Sequence, residues 1–402
     1  MDLLAGFAFK SERFTDKADD IALVKGENVS QGHILWDISK RWPSAEWSAF
    51  EKYHLRTGDV VVAMDRPWVP AGLKWAYIRS DAPRALLVQR CSRLRSDTPK
   101  LDQGFLRFVI GGPGFESYVK PITTGVNVPH ISGRQILDYE FLLPPIPTQR
   151  RIASILSAYD DLIENSQRRI KILETMARAL YREWFVHFRF PGHENHPRVA
   201  SPLGEIPEGW EVRRLGNLVT YSRRATKPGP HLEERRYVPI DCLPPRSLAL
   251  LEAKPIEEAQ SSLQLFEKGD ILFGAMRPYF HKVVVAPFPG VTRTTCFVFR
   301  PVQPEWHAFA TMTAFDEATV AYANAHSQGA TIPYAVWDGS LSEMPLVLPS
   351  AEVLQQFETA VAPMLARLAQ SFFALGNLRR TRDLLLPRLL SGQMALDELE
   401  AA

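Results

Sequence analysis

Cysteine is scarce: Cys91, Cys242 and Cys296 are odd in number and widely spaced in a chain of 402 residues. That excludes a disulfide framework and a zinc cluster, and leaves three small apolar side chains in a reducing compartment as the expectation. Long apolar runs are missing too. The best stretches, such as residues 60–64, are strand-sized and well short of the roughly 18 residues a membrane span needs. The opening Met1-Asp2-Leu3-Leu4-Ala5-Gly6 has no basic region ahead of an apolar core, so no secretory signal is expected there. Charge of one sign is also lacking. Lys plus Arg number 47 against 45 Asp plus Glu, a net charge of +2, and net charge alone makes no case for nucleic acid. The basic set is nonetheless skewed, with 34 Arg against 13 Lys. Arginine suits planar bidentate contacts to phosphate and guanine, and it serves ordinary ion pairs equally well. With 46% hydrophobic and 23% charged residues the composition is that of a globular protein, which excludes a disordered tail and a fibre.

Catalytic patterns are absent as well. Gly111-Gly112-Pro113-Gly114 contains proline and lacks the Lys-Ser/Thr of a phosphate loop, so a turn is expected. No Gly-x-Ser-x-Gly elbow occurs, nor an Asn-Pro-Pro-Phe/Tyr methyltransferase motif, nor a Pro-Asp…Glu-x-Lys nuclease motif. His187, His193 and His196 have no supporting cysteine, which argues against a metal site. Asp160, Asp161 and Glu164 are expected on a solvated helix face, with Arg168 one turn beyond Glu164 for a weak ion pair.

What is present is a long internal repeat. Leu55-Arg56-Thr57-Gly58-Asp59-Val60-Val61-Val62, running on to Arg66-Pro67-Trp68, matches Phe266-Glu267-Lys268-Gly269-Asp270-Ile271-Leu272-Phe273, running on to Arg277-Pro278-Tyr279, 211 positions later. Gly125-Val126-Asn127-Val128-Pro129 matches Gly329-Ala330-Thr331-Ile332-Pro333, and Phe141-Leu142-Leu143-Pro144-Pro145 matches Pro345-Leu346-Val347-Leu348-Pro349, both at an offset of 204. Solenoid units repeat every 20–50 residues or so, so this period signals a duplicated domain.

Each copy exits through prolines into a helical pattern, with Thr148 and Ser350 where an N-cap is wanted. Tyr159, Ile163, Ser166, Ile170, Leu173, Ala177, Leu180 and Trp184 step by four and three as a heptad seam. Phe357, Val361, Met364, Leu368, Leu375, Leu378, Arg382, Leu385 and Leu389 keep nearly the same rhythm; Pro363 is expected to kink this helix early and Pro387 to end or kink its last turn. Helices of this length cannot bury their stripe in one small domain, so each is expected to pair with the other about an approximate two-fold axis. Between them Phe190, Pro191, Pro197, Pro202, Pro207 and Gly209 predict an extended connector. Short apolar runs at 85–88, 283–285 and 297–299, with a helical stretch near 305–326, predict mixed α/β domains. The segments are therefore 1–147, 148–190, 191–349 and 350–402, an α+β chain of two similar domains and two long helices forming an antiparallel coiled coil. The second copy opens with Gly209-Trp210-Glu211-Val212 and Leu215-Gly216, a lead-in that the first copy lacks.

Two copies of one domain on a helical spacer suit a target with two half-sites, as duplex DNA has. Arg66, Trp68 and Lys74, and in the second copy Arg277, Tyr279 and Lys282, follow the repeated strand and are candidate phosphate and base readers; Arg66 and Arg277 serve equally as structural turn residues. Further basic candidates are Arg90, Arg93 and Arg95, then Arg223, Arg224, Lys227, Arg235 and Arg236, though such clusters also occur as solvated faces.

The block Leu142-Leu143-Pro144-Pro145-Ile146-Pro147-Thr148-Gln149-Arg150-Arg151-Ile152, continuing through Ala158-Tyr159-Asp160-Asp161-Leu162-Ile163-Glu164-Asn165 to Arg182-Glu183-Trp184-Phe185, resembles the central region of type I restriction-modification specificity subunits. Phe188-Arg189-Phe190-Pro191-Gly192-His193-Glu194, the stretch from Pro202 to Trp210, Gly6-Phe7-Ala8-Phe9-Lys10-Ser11 and Leu389-Leu390-Ser391-Gly392 are similar to that family too. The resemblance implies two target-recognition domains that read the halves of a bipartite double-stranded DNA site. It also implies paired helices that set the spacing and dock two methylation subunits, through a seam including Tyr159, Ile163, Ile170, Leu173, Leu180, Trp184, Phe357, Val361, Leu368 and Leu375. S-adenosylmethionine and ATP then belong to methylation and restriction subunits, with no cofactor on this non-catalytic, cytoplasmic chain. Two other readings stand beside it: an enzyme acting alone on nucleic acid, disfavoured by the missing motifs, and a coiled-coil scaffold that binds no DNA.

Overall fold

The computed structural model describes residues 1–123 and 129–394. Its chain forms two compact units, one of residues 1–161 with the end of the chain from Arg379, the other Leu162–Leu378. The boundaries drawn from sequence set the long helices apart as segments of their own; by contact each unit takes part of both.

In the first unit the strands are β1 (Asp2–Ala5), β2 (Ile21–Val24), β3 (Gln31–Gly32), β4 (Arg41–Trp42), β5 (Val60–Ala63), β6 (Trp68–Val69), β7 (Gly72–Leu73), β8 (Trp75–Tyr77), β9 (Ala85–Leu87) and β10 (Cys91–Arg95). The helices α1 (Gln103–Ile110), α2 (Pro113–Ile122) and α3 (Gly133–Leu137) follow, then the long α4 (Ile146–Tyr181). The main sheet has the order β1-β10-β5-β8-β3, beside a smaller β4-β2-β9 sheet. Gly111 caps the end of α1 and Pro113 opens α2, so the glycine-rich run is the expected joint between elements.

The second unit adds β11 (Arg198–Ser201), β12 (Gly204–Pro207), β13 (Glu211–Arg214), α5 (Leu215–Leu218), β14 (Val219–Tyr221), β15 (Ala225–Thr226), β16 (Arg236–Tyr237), β17 (Leu263–Phe266), β18 (Ile271–Gly274), β19 (Val283–Val285), β20 (Gly290–Arg293), β21 (Cys296–Pro301), α6 (His307–Phe315), α7 (Glu317–Ala325) and β22 (Pro345–Leu348), before the long α8 (Ala351–Leu390). Its sheet β14-β21-β18-β19 repeats the order β1-β10-β5-β8, and the parallel β16–β20 pair repeats β2–β9. The duplication read from sequence is thus a duplication of topology. Cys91 opposite Ala63 and Cys296 opposite Gly274 occupy one position of it, both buried, and all three cysteines are free.

The central strand of each unit is apolar at every position because both of its faces are covered. Val60 and Val62 of β5 face a core containing Ile152, Leu156, Leu385 and Leu389, while Val61 and Ala63 face a second one. In β18, Ile271 and Phe273 join the core that holds Ile163, Ile170, Phe357, Val361, Leu368 and Leu375, and Leu272 faces another. The long helices run antiparallel. Phe357, near the start of α8, packs on Phe185, beyond the end of α4, at a 4.7 Å ring separation in the second unit. In the first unit Arg382, near the end of α8, pairs at 3.0 Å with Asp160 of α4.

Several expectations are corrected. α4 begins at Ile146, with Gln149 donating to the Pro145 carbonyl at 3.0 Å, so Thr148 lies inside the helix. Pro147 sits in the first turn, where its missing N–H costs nothing. α4 stops at Tyr181 and gives way to a π turn over Arg182–Val186, which holds Trp184. α8 is continuous through Pro363 and Pro387, neither of which ends it. The connector is a folded hairpin: β11 pairs with β12, and Phe190, Ile206 and Trp210 are buried. His193 and His196 hold it by bonding the Phe190 and Glu208 carbonyls, each at 2.8 Å. The lead-in strand β13 pairs with β22; at the positions corresponding to β22, Leu142 and Leu143 of the first unit are exposed and outside any strand.

Candidate functional site

Each unit builds the same device around its central strand. The turn before the strand needs a left-handed residue, and Gly58 (φ 94°) and Gly269 (φ 90°) supply it without the steric cost of a Cβ. The next residue is a buried aspartate whose carboxylate closes the turn. Asp59 accepts from the Arg56 N–H and Asp270 from the Glu267 N–H, each at 2.7 Å. Arg95 and Arg300, at one position of β10 and β21, hold these carboxylates at 2.8 Å and 2.7 Å.

The far end of the strand is the candidate interface. Arg66 (φ 46°) and Arg277 (φ 51°) are both left-handed, a conformation that a side-chain-bearing residue keeps only where its surroundings impose it. Their N–H groups donate to the carbonyls of Pro129 at 2.6 Å and Pro333 at 2.7 Å. The backbone bridge beside each turn is also shared, Asp65 with His130 and Met276 with Tyr334. The turn role of both arginines is therefore real. The Arg66 side chain is exposed, while that of Arg277 is half-buried with an unpartnered buried Nε.

The remaining candidates divide. Trp68 is 38% exposed but tied down, its Nε1 donating to Glu116 at 2.9 Å and its ring lying under the Lys120 ammonium. Tyr279 stands out at 50% exposure. Arg90 is left-handed, exposed, and paired at 3.0 Å with Asp65, whose other oxygen holds His130 at 2.7 Å. The structure thus gathers Arg66, Arg90, Asp65 and His130. Lys74 donates to the Gly26 carbonyl and Lys282 to that of Ile240; both are half-buried, and desolvation holds the Lys74 ammonium below its ordinary pKa. Arg93 is buried against Asp2, with its pKa likewise lowered by burial. Arg223 pairs with Asp338 and Arg224 with Glu267, and Lys227 is exposed. These placements read as scaffold for Lys74, Lys282 and Arg93. Sequence reasoning missed Asp65, His130, Met276, Tyr334 and Phe280, although extending the Pro129/Pro333 match by one residue would have aligned His130 with Tyr334. The Gly125–Val128 part of that match lies outside the described residues.

A cavity of about 490 Å³ in the second unit is lined by Arg178, Tyr181, His281, Phe315 and Glu317 among others. Its His281 bonds the Phe315 carbonyl at 2.8 Å through Nε2 and leaves Nδ1 buried without a partner. Burial lowers the imidazole pKa, so the ring is neutral.

A duplicated α+β unit on shared helices is also the architecture of a solved type I restriction-modification S subunit from M. genitalium. That structure superposes with a TM-score of 0.61 at 15% identity, covering 97% of this chain and 93% of that one. Residues 86–175 match the family model described as type I restriction modification DNA specificity domain. The MjaIX specificity subunit of Methanocaldococcus jannaschii is 25% identical over 311 residues, 73% of this chain and 70% of that protein. The EcoAI specificity subunit of Escherichia coli is 33% identical over 175 residues, 43% of this chain and 28% of that protein. The chain is therefore similar to the specificity subunits of type I restriction enzymes in fold, in residues 86–175 and along most of the MjaIX subunit.

Proposed function

We propose that this chain reads a bipartite double-stranded DNA site, each unit addressing one half-site through the rim beside its left-handed arginine. The observation that carries the reading is the duplicated device itself: one scaffold, built twice, presents a different set of side chains at the same strand end. Arg66 and Arg90 in the first unit, and Arg277 and Tyr279 in the second, are the proposed contacts, with Arg223, Arg224 and Lys227 as outlying phosphate contacts. The two helices set the half-site spacing and dock two methylation subunits, on the faces flanking the seam; exposed Leu162, Ile172 and Met176 on α4 and Leu384 on α8 suit that role. S-adenosylmethionine and ATP are assigned to the methylation and restriction subunits, and the assembly to the cytoplasm. Among the described residues no helix is long and apolar enough to cross a membrane.

The test is to co-express the chain with a methylation subunit and map methyladenine by long-read sequencing. A two-part motif that requires both proteins is the expected result. A stable complex that leaves no motif would overturn the reading in favour of a scaffold.

A further inference from the structure

The segment Arg277–His281 is held more tightly than a surface turn requires. It is bracketed by two left-handed residues, Arg277 at φ 51° and His281 at φ 52°. A third, Arg246 at φ 57°, donates its N–H to the His281 carbonyl at 2.8 Å. The buried His281 ring is pinned to the Phe315 carbonyl and packs edge-on against the Phe315 ring at 4.8 Å. Within this clamp Pro278–Phe280 form one 3₁₀ turn. At its crest Tyr279 and Phe280 are 50% and 46% exposed, with their rings 4.7 Å apart. Arg277 is bonded through its N–H to Pro333, which places Ile332 (42% exposed) and Tyr334 (37% exposed) next to the turn. The result is a pair of touching exposed aromatic rings with an arginine beside them, carried on a backbone held by these bonds.

Large exposed apolar groups on a rigid turn mark an interaction surface. Proteins that deform duplex DNA insert apolar wedges of this kind between base steps, while nearby cations hold the phosphates. The cations here are Arg277 and Arg246, the latter on an exposed ion pair with Glu317 that a phosphate can replace. Among the described residues the first unit shows no matching wedge: Trp68 in the corresponding loop is bonded to Glu116 and covered by Lys120.

We infer that the Tyr279–Phe280 turn is a stacking wedge that opens one base step in the half-site read by the second unit, and in that half-site only. The inference rests on the DNA reading above and adds a mechanism to it: shape and deformability of one half-site contribute to specificity.

The experiment uses the full chain alone, because a methylation subunit unstacks its own target base, on the duplex identified by methylation mapping. Permanganate reactivity of thymines and fluorescence of 2-aminopurine placed along both half-sites report unstacking, and binding is measured across a salt series. The expected result is one hyperreactive step in one half-site, lost in Y279A/F280A and kept in W68A, with the salt slope of binding unchanged in both variants. Salt-sensitive binding with no unstacked step would overturn the wedge and leave the DNA reading standing. Absence of salt-sensitive binding would instead overturn the DNA reading, and the wedge with it. Because both aromatics are exposed, an unchanged melting midpoint checks that the double variant is folded.

Discussion

The two units share a scaffold and differ at its rim. Asp65, Arg90 and His130 surround the first left-handed arginine; the equivalent positions beside the second carry Met276, Thr295 and Tyr334. One rim is charged and mutually paired; the other is uncharged, with one apolar, one hydroxyl and one aromatic side chain. The glycine, buried aspartate, clamping arginine and turn arginine are common to both. Duplication has kept what holds the backbone and changed what faces outward.

Substitutions break this comparison to different depths. The deepest is at the helix attachments, where the units use different chemistry. In the first, Asp160 of α4 bonds the buried Arg107 as well as Arg382. In the second, Glu174 of α4 accepts from Ser247 Oγ at 2.6 Å and from the N–H groups of Leu248 and Ala249 at 2.8 Å and 3.2 Å. Asp160→Ala leaves Arg107 buried without its carboxylate and is expected to cost about 3–5 kcal/mol. Glu174→Gln keeps an accepting oxygen and should cost far less; hydrogen exchange resolved by unit, with denaturant melts, measures both. Arg277→Ala and Arg66→Ala are expected each to relax one half-site by about 1–3 kcal/mol of discrimination, leaving the other half intact. Selection from randomised half-sites reads this out, and unchanged specificity would sink the assignment.

The glycine turns should respond alike. A Cβ on Gly58 would meet Gln103 at 3.7 Å and one on Gly269 would meet His307 at 3.8 Å, ordinary contacts, so only the left-handed backbone is penalised. Alanine at either position is expected to cost about 1–2 kcal/mol, equally in both units, by thermal melts. The smallest effect is a dependence on pH in the second unit alone. His281 is held neutral by burial, with Arg178, Arg246 and Glu317 around it, and so binds its proton less readily than in the unfolded chain. Its stabilising contribution is complete above about pH 6.5 and is lost as pH falls below that value. The first unit has Leu73 ahead of Lys74 where the second has His281 ahead of Lys282. H281N, which tolerates the left-handed backbone, should flatten the acid limb of the second unit's melting curve and leave that of the first unchanged.

The repeat was legible because covalent spacing preserves it: Gly-Asp, the apolar strand and Arg-Pro all fall in register. The seam was legible because burial on a helix imposes the period, and Ile163, Ile170 and Ala177 lie buried at seven-residue steps. Helix ends and the connector were less so. Proline marked both, yet Pro363 and Pro387 lie within α8, where local propensity yields to packing along its length. The hairpin of β11 and β12 was hidden by the same prolines, two of which flank its strands while Pro207 ends β12. At the site, charge alone could not separate readers from scaffold, because Arg93, Lys74 and Lys282 find their partners through the fold, not through neighbours in sequence.

Because α8 contributes its last turns to the first unit, that unit's core depends on residues more than 200 positions downstream of its own strands. Asp160 and Arg382 are 222 positions apart. At roughly 5–20 residues per second of synthesis, the ribosome needs on the order of ten to forty seconds between them. During that interval Ile152, Leu156 and the strand face bearing Val60 and Val62 await Leu385 and Leu389. A nascent chain stalled anywhere before α8 therefore exposes apolar surface from both halves at once, and the synthesis of α8 supplies the missing side chains of both cores.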